Sequence, residues 1–245
     1  MAFEYLFTSL PALPRDPGGA VSLSAAKLAS LCSDEGGTAA LLTRALLFSF
    51  DIKALEQIEF GVDPSETALF DEKQLRQREN MPHWLKSALD SDGSAYSYPF
   101  DRVWEAYFRR LMKLACSLRS QFLMEWVSWE VGLRNALAAH RAMRHKALGE
   151  PLQIKDISKE YAYEFRPVID TLISLVESGA GPEPFDFAQG KLHRRVDSYK
   201  EMDRTVNMLK LAKARDIAPE YTFNLDELLS YVVQFSVIKQ GGYLS

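Results

Sequence analysis

The chain of 245 residues carries 29 Lys and Arg against 33 Asp and Glu, is 47% hydrophobic and contains two cysteines. Such a length can bury a substantial core, in one large domain or in two lobes. A net charge of −4 argues against a general nucleic-acid binder, which carries a basic excess. Cys32 and Cys116 lie too far apart in the chain for a CxxC redox or metal site, and two cysteines cannot staple a disulfide-rich scaffold.

In chain order, the first ten residues are apolar but hold Glu4 and no Lys or Arg, so the basic region of a signal peptide is missing. Residues 4–8 show a weak strand-like alternation, and residues 11–19 read as a Pro/Gly loop. Ala25, Ala26, Leu28, Ala29 and Leu31 predict a short helix stopped by Gly36 and Gly37. Two more short helices are expected at 38–48 and 53–60, joined through Asp51. Asp63-Pro64-Ser65-Glu66 reads as a helix start, with Asp63 as cap and Pro64 at the first helical position. Residues 90–98 are the first clear loop.

The dominant pattern runs over 101–148, where Trp104, Tyr107, Phe108, Leu111, Leu114, Leu118, Phe122, Trp126, Trp129, Leu133 and Leu137 recur in steps of three and four. That spacing lays one apolar stripe along a helix. Gly132 or the 117–120 region is expected to interrupt it, giving two long helices end to end. Trp104, Trp126 and Trp129 are expected in the core. A helix from 156, a break at Arg166 before Pro167, a helix over 168–177 and a second loop at 179–190 follow. Leu192, Val196, Tyr199, Met202, Val206 and Leu209 mark a further amphipathic helix, and Asn224 with Glu227 opens the last one, through Ile238. The fold class is all-α.

No stretch of about 18 uncharged apolar residues occurs, because Arg44 interrupts 39–50 and Glu125 and Glu130 interrupt 121–133. The expected location is the cytoplasm, with membrane contact only through a partner. Catalytic and cofactor signatures are missing. His140 and His145 are five apart, not at the four-residue spacing of a zinc helix. There is no Glu-x-x-His pair, no phosphate-binding glycine loop and no GxSxG elbow. Cys116 reads as a small buried hydrophobe, and Glu125 and Glu130 point to different sides of their helix. His193-Arg194-Arg195 reads as a solvated helix start. The expectation is no metal, no cofactor and no enzymatic activity.

Two helical segments echo one another, residues 130–142 and 202–214. Asn135 matches Asn207, Leu137 matches Leu209, Arg141 matches Lys213 and Ala142 matches Ala214. Asn is a mediocre helix former, so a mid-helix Asn carries information. The first segment resembles the "acid, then Asn-x-x-x-x-x-Arg-Ala" helix of the C (or d) subunit of V/A-type ATPases. The opening Tyr5-Leu6-Phe7-Thr8-Ser9-Leu10-Pro11-Ala12-Leu13 resembles the start of an uncharacterised bacterial family encoded within V/A-type ATPase gene clusters. Residues 223–233 are similar to that family's last helix.

The resemblance implies an elongated multi-helix protein of two related lobes, reduced from the three of the longer C/d subunit. The chain is then one helical domain over 1–245, with lobes at 1–98 plus 99–148 and at 149–245. It also implies a non-catalytic role, linking the rotor ring to the central shaft through helix surfaces. Glu130, Asn135 and Arg141 would orient the inner helix of one lobe, with Asn207 and Lys213 as counterparts in the other. Two alternatives remain open: a general helical adaptor, and an enzyme whose site gathers Glu125, Arg134 and His140.

Overall fold

The computed structural model describes residues 3–17, 19–90, 99–147, 199–218 and 222–241, with side chains for all of these except 99, 136–147 and 199–205. Every regular element among the described residues is a helix: α1 (Glu4–Ser9), α2 (Ala25–Asp34), α3 (Gly37–Glu59), α4 (Glu72–Gln77), α5 (His83–Asp90), α6 (Pro99–Leu118), α7 (Gln121–Ala147), α8 (Tyr199–Ile217) and α9 (Leu225–Gly241). The all-α expectation is met. The helices expected at 156 and 168–177, the break at Arg166 and the loops at 91–98 and 179–190 lie outside the described residues. None of the described helices is long and apolar enough to cross a membrane.

The chain divides into two compact units, residues 1–124 with 203–245 and residues 125–202. In the first, α3 is the central helix, with α2, α4, α6 and α9 packed around it. Leu42, Leu46, Leu47, Phe50, Ile52, Ala54 and Leu55 are all buried, so α3 has no broad polar face, as a helix enclosed on most sides requires. Phe50 meets Phe235 of α9 at 5.9 Å, and Phe48 meets Phe70 and Trp84 at 5.7 and 5.3 Å. The Tyr107 hydroxyl of α6 donates to the Leu46 carbonyl at 3.1 Å.

Three local expectations are corrected. First, the region expected as two helices joined at Asp51 is one, α3, over Gly37–Glu59. The Asp51 carboxylate leaves its own backbone alone and accepts hydrogen bonds from a distant loop instead. Second, no helix starts at Asp63. Glu66 Oε1 accepts from the Ala25 N–H at 2.7 Å and so caps α2 together with Ser24, while Asp63 pairs with Arg76 at 2.8 Å. The helix begins at Glu72 instead, with Asp71 and Gln74 making a reciprocal capping box. Third, residues 4–8 belong to a short helix, in which the Thr8 and Ser9 hydroxyls donate to the Tyr5 and Leu6 carbonyls. Its single buried residue, Leu6, gives too little length for period two and period 3.6 to be told apart.

Other punctuation reads through. Gly36, at φ +67°, separates α2 from α3 in a backbone state that glycine adopts without cost. The 101–148 stripe breaks between α6 and α7, where Arg119 turns left-handed and the Ser120 hydroxyl accepts from the Leu123 N–H at 3.3 Å. Gly132 lies inside an unbroken α7. Asn224 caps α9 by accepting from the Glu227 N–H at 2.9 Å, and Glu227 Oε2 reaches back to the Thr222 and Phe223 N–H groups. That helix runs three residues past Ile238, to Gly241.

Candidate functional site

The five residues singled out from the sequence fall into two settings. In the second unit Glu130 and Asn135 are both buried on α7. Glu130 Oε1 accepts from Arg134 Nε at 2.8 Å, one turn along the same helix, and Arg134 extends into solvent. Asn135 Nδ2 is buried and meets no acceptor among the described residues. Arg141 lies on α7, and its side chain is outside those described. Trp126 is buried, and Trp129, expected in the core, is only half-buried and sits 5.5 Å from it.

In the first unit, Asn207 packs over the backbone of Gly241: a Cβ placed at Gly241 would come 2.5 Å from Asn207 Nδ2. The absent side chain lets α8 and α9 approach there. Lys213 pairs with Asp216 at 3.6 Å, three residues on. The two asparagines thus do different things, one enclosed in mid-helix and the other wedged against a neighbouring helix. Of the alternative catalytic trio, Glu125 and Arg134 are nine residues apart on α7, half a turn out of phase, and both reach the surface, while the His140 side chain lies outside those described. Among the described residues no three His, Cys, Asp or Glu side chains gather as a metal site would need. Cys116 is exposed, contrary to its reading as a buried hydrophobe, with its thiol 3.9 Å from Met124 Sδ.

Two polar centres escaped the sequence reading. Asp51 is fully buried in α3, and its carboxylate accepts from the consecutive N–H groups of Ala68, Leu69 and Phe70 at 3.0, 3.2 and 3.4 Å. Burial pushes its pKa up to about 6, against the pull of those three donors and of Arg44. Glu66 is the second. Besides capping α2, it meets Lys239 of α9 at 3.5 Å, so one loop carboxylate ties the ends of two helices. The one available signal for Asp51 was an acid near the end of the largely apolar run 45–52, too long a run for a loop.

The segments that carry the resemblance at the two ends of the chain meet. The Tyr231 hydroxyl of α9 donates to the Pro11 carbonyl at 2.8 Å, and Phe7 of α1 packs edge-on against Phe223 at 5.7 Å. Burial raises the Tyr231 pKa, so the phenol stays protonated and keeps its role as donor. Cys32 is buried beside Thr43, and burial pushes its thiol up to about 11, which leaves it protonated and unreactive.

Compared with known protein families, with curated proteins and with solved structures, the chain matches none. Its functional reading therefore rests on its own residues.

Proposed function

We propose that this chain is a non-catalytic, C/d-like or accessory subunit of a bacterial V/A-type ATPase, acting through helix surfaces between the rotor ring and the central shaft. The observation that carries this reading is the meeting of residues 5–13 with residues 223–233. The two terminal segments that resemble the ATPase-cluster family are joined by the Tyr231–Pro11 hydrogen bond and the Phe7–Phe223 ring contact. The two terminal parts of the resemblance thus form one packed joint in the first unit. An all-helical body agrees with such a subunit. The acids of the interior favour it too, because buried Asp51 and Glu130 and part-buried Glu66 are each engaged in holding backbone or a neighbouring side chain.

The mechanism is mechanical coupling. A part that transmits torque or holds two others in register needs a stiff body and specific surfaces. Carboxylates that fasten a loop to α3 and helix ends to one another supply stiffness, because each constrains segments distant in the chain. The test is co-purification: a tagged full-length chain is expected to bring down rotor-ring or shaft subunits from detergent-solubilised membranes. Repeated recovery as a free monomer, with no ATPase subunit enriched, overturns the proposal.

A further inference from the structure

The charge on this acidic chain is unevenly placed. Between Ala106 and Met124 there is no Asp or Glu, yet the stretch contains Arg109, Arg110, Lys113 and Arg119, all exposed. Helix α6 presents its opposite side, with Val103, Tyr107, Leu111 and Ala115, to the core, and it packs there on α3 and α5. At 3.6 residues per turn, Arg102, Arg109 and Lys113 fall within about 40° of one another around the axis, and Arg110 flanks them. Asp101 in the first turn and Glu105, paired with Arg109, offset the stripe from its N-terminal end. Arg110 is held in place over the face of Trp84, 5.8 Å from the ring centre, a contact that orients the guanidinium without neutralising it.

We infer that the outward face of α6, built on Arg109, Arg110 and Lys113, is the docking surface for an acidic helical face of another ATPase subunit. This rests on the subunit reading above and names the kind of partner. Charge complementarity selects the partner: α6 carries Arg102, Arg109, Arg110 and Lys113 against Asp101 and Glu105, and that cationic excess leaves a positive field to be met from outside, which speeds encounter and fixes register. An anionic membrane is the weaker fit. None of the large apolar side chains exposed on the described residues lies on α6, so the face has nothing to insert between lipids. Nucleic acid fits poorly as well, since the whole chain carries −4.

The test uses the full-length chain, the detergent-solubilised V/A-type ATPase complex, and phosphatidylglycerol vesicles. The triple variant Arg109→Glu/Arg110→Glu/Lys113→Glu is compared with wild type and with a control reversal at two other exposed lysines, Lys27→Glu/Lys73→Glu. Helix content by circular dichroism checks folding, and the neutral set Arg109→Gln/Arg110→Gln/Lys113→Gln replaces the reversal if the latter does not fold. Wild type and control are expected to bind the complex alike, more weakly as salt rises, and the triple reversal to lose at least about tenfold in affinity. Equal binding by wild type and triple variant overturns the α6 assignment alone. Loss confined to the vesicles transfers the stripe to lipid and overturns it too. Failure of wild type itself to bind the complex overturns the subunit reading.

Discussion

Asp51 in the first unit and Glu130 in the second are both buried acids in mid-helix, yet the contacts the structure shows for them differ in range. Asp51 reaches across to three backbone N–H groups some seventeen to nineteen residues onward. Glu130 takes its cation from Arg134, one turn along its own helix. The first is a tertiary tie and the second a local pair. A tertiary tie fastens one segment to another and fails as a unit; a local pair steadies a helix that other contacts already hold.

The sharpest way to break this comparison is Asp51→Ala. It strands three N–H groups, one of them fully enclosed, and is expected to cost about 3 kcal/mol at pH 5, read from urea midpoints. If that cost is no larger than for the local pair, the contrast fails. The second measurement is stability against pH. The native carboxyl titrates near 6 and the unfolded one near 3.8, so the native chain binds the extra proton between those values. Stability from this group therefore rises as pH falls from about 7 to about 4, by up to about 3 kcal/mol. Asp51→Asn should flatten that rise, and an unchanged profile would show that Asp51 is not its source.

Smaller effects sharpen the other side. Arg134→Ala should cost about 1 to 2 kcal/mol, because Glu130 loses a charged partner while Arg134 itself is largely solvated. Gly241→Ala should cost about 1 kcal/mol by driving a methyl group into Asn207. The double variant Asn207→Ala/Gly241→Ala should recover it, since alanine is the better helix former by about 1 kcal/mol. Non-recovery would show that Asn207 does more than fill the α8–α9 contact. Tyr231→Phe should cost about 1 kcal/mol and loosen the joint between the chain's two ends, visible as faster hydrogen exchange at residues 5–13.

Legibility in the sequence followed the range of the interaction. Asn224 and Glu227 announced α9 because a cap and its N–H groups lie within four residues. The α6–α7 break was foreseen near Ser120 for the same reason. The start expected at Asp63 failed because local chemistry was outbid: Glu66, an apt first-turn acid, was drawn to Ala25, forty-one residues earlier. The strand-like reading of 4–8 failed because six residues are too few to separate the two periods. Of the site candidates, Glu130 carries its partner at i+4 in plain view, whereas Asn207 owes its setting to a glycine thirty-four residues away.

By itself, the sequence determined the all-helical character, the extent of α2, the break between α6 and α7, the start of α9 and the core stripe of 101–133, because periodicity and caps act over one or two turns. Only the tertiary structure decided that α3 runs unbroken, that Asp51 and Glu66 are fasteners, and that the chain's two ends form one joint. Those outcomes depend on which distant N–H, carbonyl or ring arrives to meet a side chain, and no short-range pattern encodes that arrival.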